Sequence, residues 1–161
     1  MKSNNAKFLL IITAIASIVA LGSCAKSAAE FALNTDSEGN ALRGYDAVAY
    51  FAVENAVKGN KKFEYAWNGA KWLFSSEENM NKFKADPEAF APQYGGYCSY
   101  AVSEGYTADG DPEAWKVVDG KLYLNYSPEV KSMWEKNEAE RIENGKKNWG
   151  EFKTKKPQHK G

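Results

Sequence analysis

The feature that most constrains the fold is a tight turn between two aromatic strands, followed directly by a capped helix. Phe63, Tyr65 and Trp67 alternate along one face of the first strand. Asn68-Gly69 is a strong signal for a two-residue hairpin, because both central residues of a type I′ turn need a positive φ. Residues 75–78, Ser-Ser-Glu-Glu, then supply a hydroxyl cap and acids that suit the positive end of a helix. The segment predicts a hairpin that runs into a helix.

The same kind of helix start recurs along the chain. A capping side chain followed by Pro at the first helical position is typical of a helix N-terminus. The pattern occurs at Asp86-Pro87-Glu88, Asp111-Pro112-Glu113 and Ser127-Pro128-Glu129. We expect a short helix at each of the first two. The third is expected to begin a C-terminal helix that runs to Asn144 and stops at Gly145.

The remaining segments complete an α+β pattern. Asp119-Gly120 predicts a second type I′ hairpin, between strands at 116–118 and 121–125. Residues 47–53 favour a strand buried on both faces, with a short helical turn as the alternative. Residues 91–106 favour a helix, with a strand as the alternative. The sequence therefore predicts a small single domain with two β-hairpins, several short helices and a C-terminal helix.

The first residues have the form of a targeting signal. Lys2 and Lys7 precede an apolar run at 8–21 that is short for a membrane span. Leu-Gly-Ser then leads to Cys24, an order typical of a secretory signal peptide over residues 1–23. Leu-Gly-Ser-Cys resembles the bacterial lipobox, which implies cleavage before Cys24 and lipidation of its sulfur. An ordinary cleavage site beside an unmodified cysteine is the alternative.

The anchor fixes the expected location and the domain boundaries. Residues 24–43 are small, polar and weakly patterned, so we expect a lipid anchor and a tether, with an ordered end near residues 41–43. Ala25 follows the cysteine where an Asp would favour the inner membrane, so we expect the outer membrane, facing the periplasm. The membrane is thus the expected partner. Residues 151–161 are polar and lysine-bearing, and we expect a disordered tail there.

Charge and motifs exclude several classes of function. The chain has 21 basic and 21 acidic residues and no electrostatic footprint for nucleic acid. The single histidine, His159, lies in the expected tail, so no Ser-His-Asp set is available. Neither a GxxxxGK[ST] loop nor an HExxH helix occurs. We therefore expect no enzymatic activity. With Cys24 lipidated, Cys98 is the one remaining thiol and no internal disulfide can form.

Several segments together resemble the YHS domain family over residues 44–150. They are GYDAVAYF, YAWNGAKWLFSS, APQYGGYCSYAVSEG and DGKLYLNY. The resemblance implies a YHS-like domain of the kind found in envelope proteins. Metal-binding relatives carry three cysteines at places that correspond here to Ala49, Ser75 and Asn79. None offers the sulfur or imidazole that Cu(I) and Zn(II) prefer. The resemblance therefore implies that the family's metal site is lost, and we expect no cofactor.

Five residues are candidates for a ligand or thiol site: Cys98, Tyr94, Tyr97, Tyr45 and Asp46. Cys98 has a functional interpretation as a redox or soft-metal residue, and a structural one as a small buried hydrophobe. No basic residue stands near it in sequence to lower its pKa. Asp46 either lines a pocket or serves a turn or cap.

Two functional hypotheses follow. In the first, the protein is a non-catalytic binding or accessory module that presents an aromatic pocket. In the second, it is a thiol-dependent redox or soft-metal-handling protein that acts through Cys98. The sequence does not identify a small-molecule or protein partner.

Overall fold

The computed structural model describes residues 33–152 and 154–160. The expected signal peptide and the lipidated Cys24 lie outside the described residues, as does the tether up to residue 32. The described elements, in chain order, are α1 (Ala49–Ala52), β1 (Asn60–Trp67), β2 (Ala70–Phe74), α2 (Glu77–Ala85), α3 (Pro87–Phe90), α4 (Ser99–Ser103), β3 (Asp111–Val118), β4 (Lys121–Asn125), α5 (Pro128–Glu135) and α6 (Glu138–Phe152). Short 3₁₀ turns occupy Leu42–Gly44 and Gln93–Gly96.

The four strands form two separate antiparallel hairpins, which confirms the predicted α+β class. Asn68 and Gly69 have φ values of 49° and 79°, and Asp119 and Gly120 have 48° and 70°. Both turns therefore have the left-handed backbone that a type I′ turn requires. Each hairpin also has a register shift towards its open end, near Asn60 in β1 and Asp111 in β3.

Each hairpin has one covered edge. An isolated bridge joins Lys71 of β2 to Asn40, and another joins Leu124 of β4 to Cys98. The outer edges of β1 and β3 carry no strand among the described residues.

Aromatic side chains fill two neighbouring hydrophobic clusters. In the first, Phe83 of α2 stacks on Trp72 and Phe74 of β2, with ring centroids 4.7 and 5.1 Å apart. In the second, Tyr123 of β4 contacts Trp134 of α5, with centroids 5.4 Å apart. Aromatic residues, which are 14% of the chain, thus supply much of the buried area of this small domain.

Three of the four predicted helix starts are confirmed. Ser76 Oγ accepts from the Asn79 N–H at 3.1 Å, and Ser127 Oγ accepts from the Val130 N–H at 3.3 Å. Asp86 likewise caps α3.

The start predicted at Asp111 is wrong, because β3 begins there. The Asp111 side chain instead accepts from the Glu113 N–H at 2.9 Å, and Asp111 pairs with Asn125 of β4. The long-range pairing overrides the local helix signal.

Three further segments differ from expectation. Within residues 47–53, Ala49–Ala52 form the short helix α1, which is the alternative expected there and not the favoured strand, and Asp46 Oδ1 accepts from the N–H groups of Val48 and Ala49 where it begins. Residues 91–106 are helical only in parts, since the left-handed Tyr94 and the positive φ of Gly95 interrupt them. The C-terminal helix divides into α5 and α6, and α6 continues through Gly145 to Phe152.

The described ends of the chain pack on the domain, where the sequence predicts a tether and a disordered tail. Ala41 and Leu42 are buried in the first cluster, at the ordered end expected near residues 41–43, and Leu33, within the expected tether, also packs against this cluster. At the other end, the Thr107 N–H donates to the Gln158 carbonyl and the Lys160 N–H to the Thr107 carbonyl, both at 2.8 Å. Backbone hydrogen bonds hold this end in place. Such bonds do not depend on apolar side chains, so the polar sequence of the tail does not indicate them. Within the described part of the chain, no helix has the length and apolar character needed to cross a membrane.

Candidate functional site

Among the described residues, the side chain that accepts the most hydrogen bonds is the carboxylate of Asp46, which is fully buried. Asp46 Oδ1 accepts from the N–H groups of Val48 at 2.9 Å and Ala49 at 3.3 Å. Asp46 Oδ2 accepts from the Ser75 N–H at 2.8 Å, Ser75 Oγ at 2.6 Å and Asn79 Nδ2 at 2.7 Å. The carboxylate thus ties together α1, the end of β2 and the start of α2.

Local structure explains how the partners reach Asp46. Ser75 directly follows the last residue of β2, so its N–H and hydroxyl lie at the strand end. Ser76 caps α2 and Asn79 is in its first turn, where the Asn79 amide reaches both Asp46 and Ser75 Oγ. Asp46 lies three residues before α1, and its Oδ1 accepts from N–H groups of the turn that leads into that helix. Of the two roles considered for Asp46, the structure shows the turn or cap role and not a pocket lining.

The three positions that the resemblance assigns to cysteines in metal-binding relatives lie around this carboxylate. The Ala49 N–H, the Ser75 hydroxyl and the Asn79 amide all point at Asp46. These residues do not fit Cu(I) or Zn(II). The Ala49 side chain has no ligand atom, and the polar groups of Ser75 and Asn79 are hydrogen-bonded to the Asp46 carboxylate. Among the described residues, no group of three or more His, Cys, Asp and Glu side chains is placed to hold a metal ion.

A comparison with known families identifies one segment of the chain. Residues 48–94 match the family model of the YHS domain. The chain contains a YHS domain. The matched residues run from α1 through both strands of the first hairpin to Tyr94, and they include Ala49, Ser75 and Asn79. The match is narrower than the 44–150 expected for the YHS-like domain, and the second hairpin lies beyond it. No curated protein and no solved structure matches the chain.

Cys98 lies outside the YHS match and is buried, with 1% of its surface exposed. Its Sγ is 4.0 Å from Asn125 Oδ1, and its N–H donates to the Ala108 carbonyl at 2.9 Å. Burial raises the pKa of the Cys98 thiol, and nearby backbone N–H groups offset this only in part. The geometry matches the structural interpretation of this cysteine.

The candidate tyrosines Tyr94 and Tyr97 pack in the second cluster, whereas Cys98 packs in a third, small cluster with Ala101 and Ala108. The Tyr94 hydroxyl donates to the Ile142 carbonyl at 3.1 Å, and burial raises the pKa of both phenols. Trp149 of α6 packs against both rings, with centroids 5.9 and 6.1 Å away. These rings therefore pack into the hydrophobic core and do not form a thiol site with Cys98.

Tyr45 is directed away from its neighbour Asp46. Its hydroxyl donates to Glu113 Oε1 at 2.8 Å, and Lys58 Nζ lies 3.9 Å from its ring centre. The bond to Glu113, together with burial, raises the pKa of the Tyr45 phenol. The five candidates are thus not one site. The structure unites only Asp46 with other residues that the sequence singles out, Ser75 and Asn79.

An open groove of about 450 Å³ offers an aromatic surface. It lies between the tip of the first hairpin and α6, and Trp67, Pro92, Tyr94 and Trp149 line it. Asn68, Gln93 and Lys146 add polar groups at its margin. The arrangement has the apolar wall and few polar groups that are typical of binding pockets.

Proposed function

We propose that this protein is a non-catalytic accessory module of the bacterial cell envelope, anchored by lipid on Cys24, in which the YHS domain serves as a binding scaffold. The observation that carries the proposal is the buried Asp46 carboxylate with its bonds to Ser75 and Asn79. In the frame shared with metal-binding relatives, these positions would supply ligands. Here they hold the fold together.

The energetics of burial support a structural role for Asp46. A buried carboxylate is tolerated only where hydrogen bonds replace its hydration. Asp46 accepts five hydrogen bonds, two at Oδ1 and three at Oδ2. Diverting Ser75 or Asn79 to another ligand would leave part of this charge unpaired, which disfavours reuse of the site.

The thiol-dependent alternative is not favoured. A reactive cysteine needs a thiolate, and an electropositive, accessible setting stabilises that form. Cys98 has the opposite setting, because it is buried among apolar neighbours and its pKa is raised.

Anchoring would keep the domain close to the membrane. Residue 24 is nine residues before Leu33, where the described chain begins. A fully extended chain of that length spans about 30 Å. The outer-membrane leaflet facing the periplasm is the proposed location, and more than one acyl chain on the anchor would be needed for stable binding.

Metal content and thiol reactivity of the purified full-length protein test the module. We expect no stoichiometric copper or zinc by mass spectrometry, and an unreactive Cys98. Bound metal that disappears in Cys98→Ser would contradict the proposal and favour the thiol-dependent alternative.

Membrane fractionation tests the anchor. Cys24→Ala is expected to release the protein from membranes, whereas the matched control Cys98→Ala should leave its partition unchanged. Retention of Cys24→Ala in the membrane fraction would refute lipid anchoring.

A further inference from the structure

The outer edge of β3 presents unused backbone groups. Val118 and Lys121 flank the two-residue turn and pair with each other, and Lys116 pairs with Tyr123. Backbone groups alternate between the two sides of a strand, so the N–H and C=O groups of Trp115 and Val117 point away from β4. Among the described residues, no hydrogen bond reaches these groups.

A groove of about 550 Å³ runs along this edge. Trp115, Lys116 and Val117 all line it, although consecutive side chains of a strand point to opposite faces. A groove that contacts all three therefore follows the strand edge rather than either face. Helix α1 and the residues after it form one wall, with Phe51 and Glu54, and α5 forms the other.

The edge of β3 lacks the protection that the edge of β1 has. Exposed charged side chains commonly block strand edges. β1 carries Lys61, Lys62 and Glu64 in exposed positions. On β3, the only charged residue of the 114–118 stretch is Lys116, whose Nζ is held by Glu138 at 2.6 Å and by Glu135 at 3.3 Å. The edge of β3 is thus left open.

The two walls differ in charge. On the α5 wall, Glu135 is paired with Lys116 and Lys131. Phe51 and Glu54 line the α1 wall, and Trp115 of β3 lines the same groove. Glu54 has no cationic partner among the described residues. This side of the groove therefore complements an apolar side chain and a basic one.

We infer that the β3 edge binds an extended segment of a partner protein, which adds to the second hairpin as a third strand. The segment places an aliphatic side chain against Phe51 and Trp115 and a Lys or Arg beside Glu54. Main-chain bonds to Trp115 and Val117 supply affinity, and the wall supplies selectivity. The inference rests on the proposed accessory role and gives it a class of partner.

Peptide selection tests the inference directly. A displayed library of peptides about nine residues long, enough to cover a strand, is selected against the purified full-length protein in detergent micelles. We expect enriched peptides with alternating aliphatic residues, a Lys or Arg at one end and no internal proline. Failure to enrich any peptide, or enrichment of proline-rich ones, would overturn the inference.

Backbone methylation of the best peptide then identifies the binding mode. Only every second amide of an added strand faces β3. N-methylation of one alternate set should weaken binding about tenfold or more, while the other set should bind as before, since one lost pair of backbone bonds is worth about that factor. Equal effects of both sets would rule out strand addition.

Charge exchange locates the site. Glu54→Lys should weaken binding of the peptide about tenfold, and replacing the basic residue of the peptide by Glu should restore it. Glu64→Lys on the β1 edge is the matched control and should have no effect. Equal loss in both variants would contradict the β3 site, as would a concentration-dependent dimer that Glu54→Lys abolishes. These binding results are independent of metal content and membrane partition, so the inference can fail while the proposed function stands.

Discussion

Gly145 of α6 lies against the ring of Tyr94 so closely that a Cβ at position 145 would come within 2.5 Å of the Tyr94 hydroxyl oxygen and 2.8 Å of the ring carbon that bears it. The same hydroxyl donates to the Ile142 carbonyl one turn earlier. The glycine therefore serves close packing between helix and ring, and it does not end the helix.

Gly145→Ala is predicted to destabilise the domain by about 2 to 3 kcal/mol, because the ring or the helix must shift from a packed position. Urea unfolding measures the change. Gly150→Ala is the matched control, since a Cβ there meets nothing within 4 Å in the same helix. That change should stabilise by about 0.5 to 1 kcal/mol. A similar gain in stability in both variants would show that helix propensity, rather than contact with Tyr94, governs the site.

Asp46→Asn is predicted to lower the free energy of unfolding by about 3 kcal/mol. The amide replaces one acceptor oxygen by a donor, which faces either the helix N–H groups or the donors of Ser75 and Asn79. Asp86→Asn is the control, because Asn is an equally good helix cap and should cost less than about 0.5 kcal/mol. A stable Asp46→Asn protein would contradict the role assigned to this carboxylate.

Cys98 is predicted to react with a thiol reagent about a hundredfold more slowly in the folded protein than in urea, because access needs local opening. Cys24→Ala provides a chain in which Cys98 is the only thiol. The native rate should rise with pH well above the range of an exposed cysteine, since burial raises the thiol pKa. Rapid native modification at neutral pH would instead favour a functional thiol.

Stability is predicted to fall as pH rises above about 10, the ordinary pKa of a tyrosine. Burial raises the pKa of the Tyr50 phenol, whose hydroxyl donates to the Pro112 carbonyl at 2.9 Å. Above pH 10 the unfolded chain releases this proton while the folded chain keeps it. Stability is therefore complete below that pH and is lost above it, by about 1.4 kcal/mol per pH unit for each such group.

Tyr50→Phe isolates this contribution. The variant should lose stability less steeply above pH 10, and its difference from the parent should be constant below pH 8. Urea unfolding across the pH series gives both slopes. Identical slopes in the two proteins would show that Tyr50 does not contribute.

Features encoded within a few residues could be predicted from the sequence. Asn68-Gly69 and Asp119-Gly120 both form the expected turns, because their φ values depend on local chemistry. The caps at Ser76 and Ser127 follow from the same locality. Asp111-Pro112-Glu113 offers the same local signal, yet it begins a strand. Pairing with β4 decides its structure, and the three residues carry no sign of that partner.

The candidate site shows the same division. The resemblance identifies Ser75 and Asn79 as positions of interest, and the sequence marks Asp46 separately as a turn or cap residue. Asp46 is separated from Ser75 by 29 residues of chain and from Asn79 by 33, so only the packed fold brings the three side chains together. The prediction that Gly145 ends the helix is wrong for a similar reason. The glycine is needed there because the ring of Tyr94, distant in sequence, packs against it.

The carboxylate of Asp46 has a consequence for assembly. It joins α1, β2 and α2 through hydrogen-bond donors of Val48, Ser75 and Asn79. All of these donors have been synthesised once the first hairpin and α2 are complete. On this geometry, the hydrogen bonds that close the junction come from the chain itself and require no bound ion. The domain could therefore mature in any compartment where its chain can fold, independently of the local supply of metal.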